Sequence, residues 1–360
     1  MKLRIALMIV SLLLSLGIGL TLSHSGNNGP IETGRKKIKI GLSLDTLKEA
    51  RWQKDRDFFV AAAEKEGAEV LVQSANSNDS KQMQDVQSLI SRGVDVLVIV
   101  PHDGKAMGQA VDAAASNGIP VISYDRLITN TGNLDLYMSF DNVKVGEAQA
   151  QFLVDTLLKT KPRISIVRIY GSPTDNNARL FKQGQDNILK PLIASGKVKV
   201  VFEDWATDWR PESAKQITNA AITRNGPVFD AILASNDGTA GGAIQALSEE
   251  GLAGKIIVTG QDADLPALQR IVSGSQTMTI YKPISKLATR AAEVAVKMAK
   301  GKPVVALAEV DNGEEQVPSI LINVMVVTKD NMNETVIEDG FASKKDIYSN
   351  AAPTEPANAK

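Results

Sequence analysis

Seven separated clusters hold the side chains of this sequence that could do chemistry: Arg51-Trp52, Asp125-Arg126, Asp175-Asn176-Asn177, Trp205 with Trp209, Asn236-Asp237, Asp262 and Lys282. Planar carboxylates, amides and guanidinium groups can each engage two adjacent hydroxyls, and aromatic faces cover the C–H surface of a ring. Three cations (Arg51, Arg126, Lys282) stand against three carboxylates (Asp125, Asp175, Asp262). That balance suits an uncharged, hydroxyl-rich ligand better than a phosphate or a carboxylate. Catalytic machinery is not visible. The chain has no cysteine, which removes thiol nucleophiles, disulfides and thiolate metal sites together. With His24 in the leader, His102 stands alone, which argues against a histidine metal site or a Ser-His-Asp triad. Gly238-Thr239-Ala240-Gly241-Gly242 lacks both the Walker lysine and the spacing of a dinucleotide loop. The expectation is a binding protein, not an enzyme, with no cofactor and no metal.

Each cluster also has a plainer reading. Asp125-Arg126 could be an ion pair at a strand end. Asn236 or Asp237 could cap the helix that follows, and Asp175-Asn176-Asn177 could cap another, although one cap does not need three polar residues. Trp205 reads as packing. Trp209, beside Arg210-Pro211, reads as a cleft residue because large aromatics are rare in this chain. His102 reads as a packed or solvated histidine, and Lys54-Asp55-Arg56-Asp57 as a solvated helix face.

The elements that must position these groups are written twice. Val94 to Val100, then Asp103-Gly104, an Ala-rich stretch to Gly118, and Ile119 to Ile122 close on Asp125. Phe229 to Ala234, then Asp237-Gly238, an Ala-rich stretch to Gly254, and Ile256 to Val258 close on Asp262. Apolar runs of strand length, each followed by a helical pattern, predict parallel strands buried on both faces. Ligands of such sheets sit beyond the carboxyl ends of the strands, where both aspartates fall. The fold class expected is α/β: two doubly wound parallel-sheet lobes joined by a multi-crossing hinge. The first lobe is expected over 37–141 with about 283–309, because the first series lacks its last helix and the pattern at 284–300 supplies one. The second is expected over 142–282 with about 310–345.

Composition fits this picture. A chain of 360 residues is long for one core, so two domains are expected. A net charge of −1 gives no electrostatic footprint for nucleic acid. Lys2 and Arg4 precede an apolar run from Ile5 to Leu22 and a small-residue site at Ser23-His24-Ser25. Residues 1–25 therefore read as a secretory signal peptide or an uncleaved anchor, exporting the folded part either way. Residues 26–36 read as a linker and 346–360 as a flexible tail.

Four segments carry a family resemblance: Arg51-Trp52-Gln53-Lys54-Asp55-Arg56-Asp57, Gly171-Ser172-Pro173-Thr174-Asp175-Asn176-Asn177, Ala234-Ser235-Asn236-Asp237 and Gly260-Gln261-Asp262-Ala263-Asp264. In them the chain resembles the sugar receptors of type I periplasmic-binding-protein fold, the ribose and galactose receptor group, and within it the D-xylose-binding branch that serves bacterial ABC importers. The resemblance spans about Lys37 to Phe341. It implies that Arg51, Trp52, Asp125 and Arg126 contact the sugar from the first lobe, and Asp175, Asn177 and Trp209 from the second. Asn236, Asp262 and Lys282 would complete the set, with Lys282 at the hinge. It also implies a partner: an ABC permease that takes sugar from the closed form or, in a membrane-tethered variant, a sensor histidine kinase. The leader departs from the pattern, having neither a lipobox cysteine nor a strong A-x-A site. A repressor built on the same core would need a basic helix-turn-helix where the apolar leader stands.

Overall fold

The computed structural model describes residues 37–349, so the expectations for the leader, the linker and residues 350–360 lie outside the described residues. The first series runs β1 (Lys39–Leu44), α1 (Ala50–Lys65), β2 (Glu69–Ser74), α2 (Asp79–Ser91), β3 (Val96–Ile99), α3 (Gly108–Ser116), β4 (Val121–Tyr124) and β5 (Leu136–Phe140). The second runs α4 (Asn142–Leu157), β6 (Ile164–Tyr170), α5 (Asn176–Ala194), β7 (Val198–Trp205), α6 (Pro211–Asn225), β8 (Ala231–Ala234), α7 (Asp237–Glu249), β9 (Ile257–Val258), α8 (Leu265–Ser273) and β10 (Thr279–Tyr281). The chain continues through α9 (Ile284–Ala299), β11 (Ala308–Asp311), β12 (Gln316–Ile322), β13 (Met325–Val327) and α10 (Lys344–Tyr348).

The first sheet has the order β11-β12-β5-β4-β3-β1-β2, parallel except for the antiparallel edge strand β11. The side-chain period of two explains its continuous apolar strands. Val96 and Val98 of β3 pack with α1 and α9 on one face, while Leu97 and Ile99 pack with α2 and α3 on the other. The second sheet, β7-β6-β8-β9, is parallel and filled in the same way, Ile232 and Ala234 facing one side and Ala231 and Leu233 the opposite side. The long Ala-rich helix α9 does pack against α1 in the first lobe.

Three details differ from the sequence reading. Strand β12 pairs in parallel with β5, Ser319 opposite Tyr137, so the chain stays in the first sheet to Ile322 and crosses back at 323–324 rather than near 310. Strand β10 is shorter than 276–281 and forms a separate antiparallel pair with β13, because Val327, Tyr281 and the segment from Met332 to Ile347 share a small core of their own. Ile347 is fully buried there, which makes 344–348 a docked helix and not tail. The lobes are thus linked by three strands of chain, at 141, at 282–283 and at 323–324.

The two copies of the repeat superpose in their hydrogen bonding. Asp125 follows β4 with φ at 62° and its N–H donates to Met138 O of β5, while Asp262 follows β9 with φ at 95° and donates to Ile280 O of β10. The left-handed backbone region is uncommon for residues with a Cβ, and it costs energy that surrounding contacts must offset. In both lobes the turn aims a carboxylate off the end of the sheet.

Candidate functional site

The site is built at the carboxyl ends of the strands, where the chain turns into loops and helix starts. Arg51 and Trp52 open α1 after β1. Asp125 and Arg126 follow β4. Asp175 precedes α5 and accepts a hydrogen bond from Asn177 N at 2.9 Å, and Asn236 caps α7 by accepting from Thr239 N at 2.9 Å. Capping satisfies backbone donors that a helix start leaves free. It also holds each cap residue at the cleft. Trp209 sits in a tight turn before α6 with φ at 58°. Lys282 lies at the second crossing.

All ten residues singled out from sequence line one cavity of about 100 Å³ between the lobes. That is room for a handful of water molecules, or for a single small ring. A chain of rings would not fit. Glu49, Phe181, Pro211, Gly238, Gln261 and Asp264 line it as well and were missed. Phe181 had a readable signal, four residues after Asn177 on the same face of α5. It meets Trp209 edge-on, with ring centroids 6.2 Å apart. Gln261 carried no signal beyond its place beside Asp262. Its side chain is 2% exposed, with Oε1 lacking a hydrogen-bond partner.

Polar contacts cross the cavity in a defined pattern. Arg51 donates from Nη2 to Asp125 at 2.7 Å, from Nη1 to Asp262 at 3.2 Å and from Nε to Asp55 at 3.3 Å. Lys282 Nζ lies 2.9 Å from Asp262 Oδ1. Arg126 reaches Asp45 at 2.7 Å through Nη1 and Asp175 at 2.9 Å through Nε, and Trp209 Nε1 donates to the same Asp175 oxygen at 3.1 Å. Asn177 Nδ2 donates to Asp125 O at 2.9 Å. Asp125 and Arg126 are therefore not each other's partners, which sets aside the reading of a local ion pair.

Burial pushes the Asp125 carboxyl up, but Arg51 and then Lys282 outweigh it and hold the group below its ordinary value. Burial raises Asp175 against the pull of Arg126, and burial together with Asp262 raises Asp264 to about 6. The lining holds three cations and five carboxylates, not the three of each read from sequence, because Glu49 and Asp264 join it. An anion would meet net negative charge, so the preference for a neutral ligand is stronger than composition alone implied.

Several plain readings change. Trp52 is 4% exposed and packs in the first core with the guanidiniums of Arg51 and Arg126 at 4.2 Å and 5.3 Å from its ring centroid, so it supports both arginines as well as lining the cavity. Asp55 is buried rather than solvated: one helical turn after Arg51, it accepts from that residue and from the Tyr124 hydroxyl. Trp205 lies outside the cavity, tilted on Tyr170 at 4.8 Å. His102 is neither free nor merely packed, since its Nδ1 lies 2.9 Å from Asp45 Oδ1. Among the described residues no group of acidic, histidine or cysteine side chains could hold a metal ion, and no helix is long and apolar enough to cross a membrane.

Comparison with known proteins gives the site its context. A family model described as a periplasmic binding protein domain matches residues 40–303. The D-xylose-binding periplasmic protein of Haemophilus influenzae is 53% identical over 313 residues, covering 87% of this chain and 93% of that one. Its counterpart in Escherichia coli is 50% identical over 312 residues, with the same coverage of both chains. Among solved structures, a carbohydrate transporter solute binding protein from Chloroflexus aurantiacus in complex with D-glucose matches with a TM-score of 0.80 at 32% identity, covering 86% of this chain and 98% of that one.

Proposed function

The chain belongs to the periplasmic binding protein family, and from that premise we propose that it is a D-xylose receptor that closes on the free sugar and delivers it to an ABC import permease. One observation carries the receptor reading: polar and aromatic side chains from both lobes line a single small cavity. A ligand held from both sides stabilises the closed arrangement selectively, whereas one held by a single lobe would shift nothing. Asp125, Arg51 and Arg126 would bind hydroxyls from the first lobe, with Asp175, Asn177, Asn236 and Asp262 opposite and Lys282 at the hinge. Trp209, backed by Phe181, would cover an apolar face of the ring. The sugar's identity rests on the names of the two bacterial relatives.

Closing also gives the permease something to recognise, because it brings the two lobe faces into register. The alternative of a membrane-tethered sensor presenting the closed form to a histidine kinase has no support among the described residues. Uptake of radiolabelled D-xylose by cells lacking this chain tests the proposal. Loss of uptake that the wild-type chain restores is the expected result. Unchanged uptake with a lost transcriptional response to xylose would move the output to sensing.

A further inference from the structure

Beside the sugar cavity lies a second, smaller one, at the rim where the lobes meet. Asp45, Glu49, His102 and Arg126 line it from the first lobe, and Asp208 and Trp209 from the second. His102 begins a line of contacts that leads into the main cavity. Its Nδ1 lies 2.9 Å from Asp45 Oδ1, and the other Asp45 oxygen accepts from Arg126 at 2.7 Å. Arg126 Nε in turn reaches Asp175 in the opposite lobe at 2.9 Å, where Trp209 also donates. Asp45 is 4% exposed and its Oδ1 receives no aligned hydrogen bond, so the imidazole ring is what faces that buried oxygen.

We propose that His102 is a positioning residue for the sugar site, and that its protonation favours closure of the lobes and so tightens sugar binding. The proposal rests on the receptor reading above. Two effects point the same way. A charged imidazole fixes one Asp45 oxygen while the other steers Arg126, the arginine that bridges to Asp175. It also changes the charge balance at the rim. There the carboxylates of Asp45, Glu49 and Asp79, with Asp103 beside Asp79, face Asp208 across the closing gap, and the other cations are Arg126 and Arg210, whose Nε lies 3.8 Å from Asp208. With His102 neutral, the five carboxylates at that gap outnumber its two cations, and the excess of negative charge resists closure. Pairing with Asp45 raises His102 above its ordinary value against the effect of burial.

Binding and protonation are reciprocally linked, so the sugar must also raise the affinity of His102 for its proton. Calorimetric titration with D-xylose from about pH 5.5 to about pH 8.5 tests this on the wild-type chain and on His102→Gln. The wild-type dissociation constant should rise with pH about fivefold more than that of His102→Gln, whose remaining slope belongs to the carboxyls of Asp264 and Asp55. The same slope in both chains, or wild-type affinity throughout in His102→Gln, would overturn the proposal. An NMR titration of the His102 ring in the wild-type chain and in Asp45→Asn needs no sugar. The ring pKa should drop in Asp45→Asn. If no sugar binds either chain at any pH, the receptor reading fails. An unchanged ring pKa in Asp45→Asn overturns the His102 proposal on its own.

Discussion

Asp125 and Asp262, which end equivalent strands in the two lobes, share one guanidinium: Arg51 donates to the first at 2.7 Å and to the second at 3.2 Å. Each aspartate stands in the left-handed backbone region, and each is tethered by its own N–H to the next strand. A repeat in the sequence thus becomes a pair of opposed carboxylates with a cation held between them. That arrangement ties lobe closure to the groups that would meet the sugar.

Asp262→Ala should abolish measurable sugar binding. It strips a carboxylate from both Arg51 Nη1 and Lys282 Nζ, whose side chains are 7% and 3% exposed. Removing one partner of a buried charged group costs about 3–5 kcal/mol. Calorimetry checks this, and affinity within tenfold of wild type would remove Asp262 from the site.

Trp209→Ala should weaken binding by about 1–3 kcal/mol, the scale of a buried aromatic contact. Gly171→Ala should do much the same without touching a polar group. A Cβ on Gly171 would lie 1.9 Å from Cη2 of the Trp209 ring, so the indole must leave its place. Wild-type affinity in both variants would exclude a stacking role for Trp209.

Gly146→Ala tests the scaffold rather than the site. Helices α4 and α5 approach so closely that a Cβ on Gly146 would lie 2.0 Å from Phe181 O, and one on Gly184 would lie 2.0 Å from Val143 O. Parting the helices should cost about 1–3 kcal/mol in a urea melt. Because Phe181 and Asn177 ride on α5, affinity should fall with stability. A variant as stable as wild type would contradict the packing.

Asp55 sets a pH dependence. Burial outweighs Arg51 and raises its carboxyl from an ordinary 3.8 to about 6. Between those values the folded chain keeps a proton that the unfolded chain has released. Stability should therefore fall as pH rises through that window and level off above it, by about 1–3 kcal/mol in all. In Asp55→Asn that fall should shrink in melting curves taken between about pH 4 and about pH 7, leaving the share of Asp264. An identical slope in both chains would assign the titration elsewhere.

Much of this was legible in the sequence because the relevant physics is local. Strands buried on both faces read as apolar runs, turns to the cleft follow them, and polar residues at those turns are conspicuous. What escaped depends on contacts made only in the fold. Asp55 looks solvated until Arg51, four residues earlier, is seen turned inward with it. His102 has no local partner, and Asp45 reaches it only across the sheet. Strands β11 and β12 stay in the first sheet because β12 pairs with β5, which no local pattern announces. Glu49 and Asp264 are ordinary acidic residues beside more distinctive neighbours, yet they make the cavity acidic.

The most direct test of the account is a tryptophan-fluorescence titration of the chain with D-xylose, ribose, arabinose, glucose and galactose. Trp52 and Trp209 line the cavity, one from each lobe, so closure on a sugar must change their surroundings. The account predicts a saturable response to D-xylose at lower concentration than to any other sugar. A folded chain whose emission is unchanged by all five would contradict it.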